Sequence, residues 1–537
     1  MTSNSYDYIV VGAGSAGAVI ANRLSENGAY SVLCLEAGTE GSNYFWSKVP
    51  VGIAKLVDNP AVNWCYRSEA DEGSGGREIE VPRGKMLGGS SSINGMVFVR
   101  GQSQDYDHWA QLGNRGWSYQ DVLPVFKKME SYEGGSDEFR GRDGPLKVTD
   151  SKRGQVPLLE KMIEAAGNIG LKYNADYNAE TQEGIGMSQV TINKGRRQST
   201  AYCYLDPARD RPNLTIQTGA MAENLILEDK RCVGVHYSVN GETRDARATR
   251  EVVVSGGSIN SPKLLELSGI GQPELLASHG IKCVHELPGV GENLRDHYSP
   301  RVKFAITEKN ATFNDNARGW RLVREVLKYG LFKTGFLAST SVPIRLYFRT
   351  REGLESPDAT ISVLPFIYEM IGRERRIAKQ AGITMNVNVL RSESIGDIHI
   401  KSVDPAVAPA IRFNFLSSPH DRDGLLAAMR KGRELMASPP LAAMVGGEIA
   451  PGIDKQTDAE LLEWVRNNAE TTYHPIGTCK MGMDPMAVVD SQLRVHGIEG
   501  LRVADASIMP TLTSGNTNAP SIMIGEKCAE MVLAAAG

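Results

Sequence analysis

A glycine-rich turn near the N-terminus constrains the fold of this chain more than any other feature. Residues 9–11 are the β-branched run Ile-Val-Val, which predicts a buried strand. Gly12, Gly14 and Gly17 follow at G-x-G-x-x-G spacing and lead into a helix predicted at 16–25. In such a unit the first glycine allows a tight turn, the second lets the backbone approach a pyrophosphate, and the third lets the helix pack on the strand. The helix N-terminus would offer free N–H groups to the phosphates.

An acidic residue at the end of the next predicted strand makes this motif more specific. A lone G-x-G-x-x-G is weak evidence, because a tight turn in an ordinary α/β domain also explains the glycines. Here a second strand, predicted at 31–35, is followed by Glu36, where a carboxylate would meet the ribose hydroxyls of a dinucleotide. A carboxylate at this position argues against a 2′-phosphate. We therefore expect FAD or NAD rather than NADP.

Length and composition narrow the remaining classes. A chain of 537 residues is too long for one compact core, so two or more domains are expected. The net charge is −4 and no basic block stands out, so we expect no nucleic-acid partner. No apolar run reaches the roughly 18 residues of a spanning helix, and the N-terminus has no signal-peptide pattern. The seven cysteines show no C-x-x-C pair, which favours free thiols in a reducing compartment and argues against a metal site.

A second glycine-rich stretch follows a long irregular region. Residues 37–89 are rich in Gly, Ser, Asn and Pro, and a loop of this length in a compact domain is usually functional. At its end, residues 84–96 place glycines before three consecutive serines and an apolar turn. This pattern predicts another helix N-terminus. It is either a serine-capped helix with no further role or a second loop that contacts the same cofactor.

Six motifs together resemble the glucose–methanol–choline (GMC) oxidoreductase family. The resemblance spans nearly the whole chain and keeps the family order. Besides the opening fingerprint, it rests on residues 84–94 (GKMLGGSSSIN), 257–271 (GSINSPKLLELSGIG), 473–482 (YHPIGTCKMG), 503–510 (VADASIMP) and 514–520 (SGNTNAP).

The resemblance implies an α/β fold with two discontinuous domains. A Rossmann-like FAD-binding domain is expected at 1–155, 214–300 and 460–537. An α+β substrate-binding domain built on an antiparallel sheet is expected at 156–213 and 301–459. The residue patterns add helices at 122–132, 156–167 and 519–535, and strands at 214–217, 232–239, 252–254, 383–390 and 398–400.

The resemblance also implies FAD-dependent oxidation of an alcohol to an aldehyde or ketone. A hydride would leave the carbinol carbon for flavin N5, and the hydroxyl proton would need a base. His474 stands at the family position for that base, and Pro475 biases it away from helix. Asn518 maps to the second catalytic position and is expected to position the hydroxyl, while Asn516 is expected to contact the flavin, with the reverse order left open. His297 is either catalytic or, as we prefer, a structural hydrogen-bonding residue.

The cofactor contacts are expected in four parts of the chain, the last two by resemblance alone. The predicted set is Gly12, Gly14, Ser15, Gly17, Glu36, Gly88, Ser90, Asn94, Gly95, Met96, Val97, Ala222, Ala504, Asp505 and Asn516. Some family members attach FAD covalently through a histidine in the second glycine motif. Ile93 occupies that register here and has no nucleophile, so we expect non-covalent FAD.

The electron acceptor and the substrate stay open at this stage. We favour a dehydrogenase that passes electrons to a quinone or another carrier over an oxidase that uses O₂. A redox-silent hydroxynitrile lyase is the least favoured alternative. Because residues 300–450 offer no assignable site for choline's ammonium group, an uncharged primary alcohol is the default. Polyethylene glycols, furfuryl alcohols, sorbose and pyridoxine stay open. We expect a cytoplasmic protein, either free or peripheral to the inner membrane, and leave a homo-oligomer open.

Overall fold

The structure is a computed structural model that describes residues 5–41, 44–152, 154–371 and 374–536. Its two largest sheets form separate layers, each with its own hydrophobic core. One core lies on strands from the two ends and the middle of the chain, and the other lies on strands from 184 to 450. The described helices include none that combines the length and the apolarity needed to cross a membrane.

The first sheet has seven strands and a parallel centre. Strand Ser5–Val11 pairs in parallel with Val32–Glu36 on one side and with Glu242–Val254 on the other. The sheet order is Leu214–Thr218, Val32–Glu36, Ser5–Val11, Glu242–Val254, Arg231–Val239 and Ala220–Glu228, with Leu501–Val503 beside Glu242–Val254. The last three strands of the main order are an antiparallel meander. The carboxyl ends of the parallel strands therefore meet at one edge, where such sheets bind ligands.

The second sheet has six antiparallel strands. Its order is Val445–Ala450, Arg301–Ile306, Gly382–Val389, Ala359–Leu364, Ile344–Phe348 and Gly184–Met187. Helix Pro419–Ala437 covers one face and buries Leu425, Met429 and Leu435 in the second core. The other face is free to line a cavity. Together the two sheets confirm the predicted fold class, whereas the exact domain boundaries stay a prediction.

The remaining elements are short strand pairs and helices. The short strands are Tyr66–Arg67, Glu80–Val81, Glu130–Tyr132, Leu146–Asp150, Gln189–Val190, Ile192–Asn193, Arg196–Arg197, Ile270–Gly271, His285–Glu286, Tyr298–Ser299, Tyr368–Ile371, Glu374–Ile377, Asp397–His399, Ala410–Arg412 and Glu470–Thr471. The α-helices are Gly17–Ser25, Phe45–Lys48, Ile53–Leu56, Ser103–Gln111, Tyr119–Met129, Pro157–Asn168, Gly257–Leu267, Pro273–Ser278, Phe313–Asn316, Gly319–Phe332, Pro419–Ala437, Asp458–Asn468 and Asn518–Ala536.

Two predicted helical stretches differ from the structure. At 84–96 the expected helix N-terminus is a single 3₁₀ turn, Gly89–Ser92. Gly88, with φ +82°, and Met96, with φ +61°, are in the left-handed region, so the chain cannot continue as a helix on either side. The helix expected at 122–132 ends at Met129, because Glu130–Tyr132 pairs with strand Leu146–Asp150. Sheet pairing here overrides helical spacing.

The C-terminal helix Asn518–Ala536 packs on the N-terminal helix and returns the end of the chain to the glycine turn. Arg23 donates to both carboxylate oxygens of buried Glu526, at 2.9 and 2.8 Å. A Cβ at Gly525 would lie 2.7 Å from the carbonyl oxygen of Ala16, so the two backbones nearly touch. This packing brings residues 516–518 beside the first glycine loop.

Candidate active site

A cavity of about 480 Å³ lies between the two sheets and is lined by residues from both. One end is formed by the carboxyl edge of the parallel sheet and by the two glycine loops. The other end is formed by the free face of the antiparallel sheet and by residues 472–475. The cavity therefore has one end suited to a nucleotide and a second end where His474 and polar residues of the antiparallel sheet could contact another ligand.

The first glycine loop is shaped by close backbone contacts. Gly12 has φ +102°, and a Cβ there would lie 2.4 Å from the carbonyl oxygen of Ser255. A Cβ at Gly17 would lie 1.8 Å from the carbonyl oxygen of Gly12, so any side chain would push the helix off the turn. A Cβ at Gly14, in contrast, would have no atom within 4 Å and would point into open space. The bare backbone at Gly14 is therefore free to approach a ligand in the cavity.

Glu36 joins the end of its strand to the glycine loop. Its carboxylate accepts from the backbone N–H of Ala13 at 3.1 Å and from that of Gly38 at 2.8 Å. Burial raises the pKa of Glu36 to about 7, although both backbone donors and Lys85 pull the pKa down. A diol in the cavity would offer this buried carboxylate two more hydrogen-bond donors.

Helix N-termini face the same part of the cavity. Helix Gly17–Ser25 begins behind the glycine turn, and helix Asn518–Ala536 begins beside it. The Ser15 hydroxyl donates to Asn518 Oδ1 at 2.8 Å, which joins the two helix starts. Both ends carry unpaired backbone N–H groups and a partial positive charge, which favour an anion such as a pyrophosphate.

Most of the predicted cofactor contacts do line the cavity. The lining includes Gly12, Gly14, Ser15, Glu36, Ser90, Asn94, Gly95, Met96, Val97, Ala222, Asp505 and Asn516. Gly17, Gly88 and Ala504 instead lie behind the wall, where they hold it in place. The Gly88 N–H donates to the carbonyl of Ala13 at 2.8 Å, and the Ala504 N–H donates to that of Val254, also at 2.8 Å.

These features fit FAD. The open backbone at Gly14, the two helix N-termini and the buried Glu36 supply a pyrophosphate and ribose site in the order that a dinucleotide requires. The second glycine loop packs against the first, because a Cβ at Gly89 would lie 2.8 Å from the Cα of Gly14. Both loops can thus contact one bound cofactor.

At the other end of the cavity, His474 contacts a polar chain that ends at a buried arginine. His474 Nε2 lies 2.9 Å from Asn516 Nδ2, and Arg345 Nη1 lies 2.5 Å from Asn516 Oδ1. A guanidinium can only donate, so it must face the amide oxygen, and the amide NH₂ must then face His474. His474 Nε2 is therefore an acceptor, and both His474 and Asn516 line the cavity.

The other nitrogen of His474 contacts a second histidine. His297 Nε2 lies 2.7 Å from the carbonyl oxygen of Leu390 and must donate to it. His297 Nδ1 is then an acceptor, and it lies 3.1 Å from His474 Nδ1. His474 Nδ1 also lies 2.9 Å from Thr472 Oγ1. The proton of His474 is thus assigned to Nδ1 by the network, which leaves Nε2 basic on the cavity side.

Asp296 holds the loop that carries this pair. Its carboxylate accepts from the backbone N–H of His297 at 2.7 Å and of His474 at 2.9 Å, and from the Thr471 hydroxyl. Asp296, His297 and His474 could offer a metal three ligand atoms within 4.8 Å of one another. Each of these three side chains already has hydrogen-bond partners within the protein, which hold the loop in place. The expectation of no metal stays a prediction.

Burial keeps both imidazoles neutral. Desolvation, followed by the charges of His297, Arg83 and Arg345, places the pKa of His474 well below its ordinary value. Desolvation also lowers the pKa of His297 to about 4. A neutral His474 with an unprotonated Nε2 can accept a proton from a ligand hydroxyl at neutral pH.

The two asparagines take different places from those expected at the sequence level. Asn516, expected at the cofactor, lies beside His474. Asn518, expected to hold the substrate hydroxyl, accepts from Ser15 in the glycine loop. The reason is that Asn518 is the first residue of the C-terminal helix, which packs on the N-terminal helix, whereas Asn516 precedes the helix and faces the second sheet.

Sequence reasoning did not single out Arg345. Arg345 is the only charged residue in the apolar strand Ile344–Phe348. A lone charge in an apolar strand is the sequence signal that could have identified it. His297, for which a structural hydrogen-bonding role is preferred from the sequence, does hydrogen-bond to the carbonyl of Leu390, and its ring also contacts that of His474, with centroids 5.3 Å apart.

Comparison with known proteins identifies relatives over nearly the whole chain. The chain matches the N-terminal domain of GMC oxidoreductases over residues 6–299 and the C-terminal domain over 392–525. It is 44% identical over 534 residues to an oxygen-dependent choline dehydrogenase of Escherichia coli (strain K12), covering 98% of this chain and 95% of that protein. It is 42% identical over 529 residues to the protein of that name from Brucella suis biovar 1 (strain 1330), with the same coverage.

Solved structures agree over the full length. The pyridoxine 4-oxidase of Mesorbium loti superposes with a TM-score of 0.87 at 28% identity, covering 98% of both chains. A variant of formate oxidase from Aspergillus oryzae RIB40 superposes with a TM-score of 0.91 at 25% identity, covering 100% of this chain and 99% of that one.

Proposed function

Because this chain belongs to the GMC oxidoreductase family, whose members are FAD-dependent enzymes acting on CH–OH donors, we propose that it oxidises an alcohol to an aldehyde or ketone with His474 as the general base. The observation that carries this assignment is the unprotonated Nε2 of His474, which accepts from the Asn516 amide where both side chains line the cavity. The contacts with Asn516 and His297 hold both ring nitrogens in place. The base is neutral and oriented before the substrate arrives.

The reaction removes a hydride and a proton from the carbinol group, which together amount to two electrons and two protons. The cavity would hold FAD, which when bound would supply the two-electron chemistry as the acceptor for the hydride of the carbinol carbon. His474 Nε2 takes the hydroxyl proton, so that the C–O bond becomes a carbonyl as the C–H bond breaks. His297 Nδ1 and Thr472 Oγ1 accept from the Nδ1–H of His474 and support the positive charge that develops on the ring.

Asn516 is the better candidate for positioning the substrate oxygen. Arg345 fixes its amide so that the NH₂ group faces the region of His474 Nε2. A hydroxyl that bonds to Nε2 would lie within reach of this NH₂ group, which can stabilise a developing alkoxide. Asn518 instead serves the cofactor end through Ser15.

The cofactor is held without a covalent bond in this proposal. Ile93 lines the cavity in the second glycine loop, and its side chain has no nucleophile. Residues 1–155, 214–300 and 460–537 would form the FAD-binding domain, and 156–213 and 301–459 the substrate-binding domain. The strand distribution between the two sheets supports this division.

We favour a dehydrogenase that uses a quinone or another carrier. The relatives that share more than 40% identity are named dehydrogenases, which agrees with this choice, but the same names call them oxygen-dependent, which keeps O₂ as the alternative acceptor. Structural neighbours at lower identity are named oxidases. A carrier in the bilayer would place the enzyme at the cytoplasmic face of the membrane.

The experiment compares flavin reduction in wild type and His474→Ala under anaerobic conditions with a panel of alcohols. We expect reduction to slow by about 10²-fold or more, because a positioned base contributes that much. His108→Ala, on the exposed side of helix Ser103–Gln111, is the matched control and should reduce at the wild-type rate. An unchanged rate in His474→Ala would remove it from the mechanism. Reoxidation of the reduced enzyme in air at the turnover rate would identify an oxidase.

A further inference from the structure

A polar row crosses the floor of the cavity on the antiparallel sheet. Arg345 pairs with Ser362 on the next strand, Ser362 with Asn386, and Asn386 with Arg301. All four residues line the cavity. The row spans four strands, or about 14 Å at the usual strand spacing. A polar row of this kind on the inner face of a sheet is suited to a polar ligand.

The two arginines at the ends of this row differ in their partners. Arg301 is neutralised by Glu470, to which its Nε donates at 3.0 Å and its Nη2 at 2.5 Å. Arg345 is 4% exposed and has no acidic partner within 4.0 Å among the residues that the structure describes. Its Nε is buried without a hydrogen-bond partner there. A buried, unpaired guanidinium is costly unless a ligand completes it.

Basic residues outnumber acidic residues along the described lining of the cavity. Its described acidic lining residues are Glu36 and Asp505, and both already accept hydrogen bonds from backbone N–H groups. Its basic lining residues are Arg83, Lys263, Arg301, Arg345 and Arg376. A quaternary ammonium at the His474 end would therefore meet a buried cation rather than a carboxylate.

Building on the proposed alcohol oxidation, we propose that the substrate is an alcohol that carries an anionic group, which is held by Arg345. A planar carboxylate, or a sulfonate or phosphate, would occupy the free donors of the guanidinium and pair with its charge. Ser362 and Asn386 continue the row with further hydrogen-bonding groups. This assignment departs from the uncharged alcohol expected from the sequence.

The geometry also limits the length of the substrate. Arg345 is joined to His474 through the single side-chain amide of Asn516, with contacts of 2.5 and 2.9 Å. A ligand that reaches both the guanidinium and Nε2 must therefore be short. Its hydroxyl and its anionic group would be separated by two or three carbon atoms, as in 3-hydroxypropanoate or 2-hydroxyethanesulfonate.

The test compares three alcohols on the holoenzyme with a dye acceptor. These are 3-hydroxypropanoate, its neutral amide 3-hydroxypropanamide, and choline. We expect kcat/KM for the anion to exceed that for the amide at least tenfold, and choline to be the poorest. In Arg345→Met the anion-to-amide ratio should fall by about 10²-fold, because the charge pair is lost. Arg345→Lys should keep part of the preference. The exposed Arg349→Met, just beyond the same strand, should keep all of it.

A binding measurement separates recognition from turnover. Propanoate lacks the hydroxyl, so it should bind wild type and perturb the flavin absorbance, and Arg345→Met should lose that titration. If wild type prefers the amide or choline, or if propanoate does not bind, the anionic assignment is wrong although alcohol oxidation stands. If no alcohol of the wider panel reduces the flavin, the proposed function itself fails. Where Arg345→Met does not fold, the wild-type preference and propanoate binding still decide.

A second inference rests on a different feature, the surface helix Gly319–Phe332. This helix presents its apolar side outward: it buries Glu325 and Tyr329, while Trp320 is 75% and Leu331 73% exposed. Val323, Val326 and Leu327 continue the exposed apolar stripe. An outward stripe of this size on a single helix marks an interaction surface.

The residues around the stripe indicate what covers it. Arg321, Arg324 and Lys328 follow one flank of the stripe at helical spacing. Large apolar side chains on one side with Lys and Arg on the other are typical of a helix that lies in the interface of an anionic bilayer. The helix also contacts the turn Phe336–Ala338, and Phe336 lines the cavity. A membrane on this helix would thus lie beside the cavity wall.

We infer that helix Gly319–Phe332 docks the enzyme on a lipid surface that contains anionic headgroups. The test is sedimentation of the holoenzyme with phosphatidylcholine vesicles, with and without phosphatidylglycerol. Wild type should bind the vesicles that contain phosphatidylglycerol, and high salt should weaken binding. Trp320→Ser combined with Leu331→Ser should weaken it at least tenfold. Met483 lies on the C-terminal part of the chain and is 74% exposed. Met483→Ser is therefore the control and should bind as wild type.

Two results would overturn this inference. One is a wild-type enzyme that stays in the supernatant or binds as well as the double variant does. The other is light scattering that shows a wild-type dimer which the double variant converts to a monomer, because a second copy would then cover the stripe.

Discussion

Replacing Asn516 and Asn518 one at a time is the sharpest test of the site geometry. In Asn516→Ala, the amide that bridges Arg345 and His474 is removed, while the helix that begins at Asn518 is untouched. In Asn518→Ala, the hydrogen bond from Ser15 is lost, while the contacts of His474 remain. The two changes are equal in size and two residues apart, so each controls for the other.

The expected magnitudes differ because the two amides do different work. Loss of one donor at a developing oxyanion costs about 10²–10³-fold in rate. Asn516→Ala should therefore slow flavin reduction by that factor, and FAD content should stay at the wild-type level. Asn518→Ala removes one neutral hydrogen bond near the cofactor loop, worth about 1 kcal/mol. It should weaken FAD binding by about tenfold or less, with only a small change in the reduction rate.

The assay is anaerobic stopped-flow reduction of the flavin by alcohol, with FAD binding measured separately by fluorescence titration of the apoprotein. Variants are compared at saturating FAD, so that weak cofactor binding does not appear as slow chemistry. The reasoning fails if Asn518→Ala slows reduction as much as Asn516→Ala is expected to, while Asn516→Ala reduces at the wild-type rate. That pattern would restore the order first expected from the sequence.

Three further predictions follow from the same contacts. The acid limb of the flavin-reduction rate with a neutral alcohol should lie below about pH 6.5, because the pKa of His474 is lowered by burial, His297, Arg83 and Arg345. Arg345→Met removes one of these positive charges, so the limb should move to higher pH; an unmoved limb would contradict the coupling. The pKa of His297 is lowered to about 4, so its contribution to stability is complete above about pH 6.5 and is lost as the pH falls toward 4, by up to about 3 kcal/mol. Denaturant unfolding at both pH values should show a smaller acid-side decline in His297→Phe, and an equal decline would exclude this role. Acid precipitation should release FAD into the supernatant, since Ile93 offers no attachment, whereas yellow protein in the pellet would mean a covalent bond.

The parallel core and its nucleotide end were predictable from the sequence because they depend on local patterns. The run at 9–11, the three glycines and Glu36 fix a strand, a turn and a helix within about 30 residues. The structure extends the first strand to Ser5–Val11 and begins the helix at Gly17. Each of these elements is stabilised by neighbours close in the chain, so its sequence signal is strong.

The 84–96 loop was harder to predict, because backbone geometry decides it. The serines there satisfy a helix N-terminus pattern, yet left-handed residues on both sides limit it to one 3₁₀ turn. Gly89 has φ +50° where the loop packs on Gly14, a contact that no local pattern records.

The active-site contacts were the least predictable, because they join distant parts of the chain. Asn516 and Asn518 stand in one short motif, and only the packing of the C-terminal helix decides which of them faces His474. Arg345 reaches Asn516 across 171 residues, from a strand whose pairing places it in one row with Ser362 and Asn386. Strand register is set by the whole sheet, so a single sequence cannot tell whether that arginine faces the cavity or the opposite side. The positive charge of Arg345 near His474 therefore depends on tertiary packing. Substitutions of Arg345 test the substrate preference that this charge predicts.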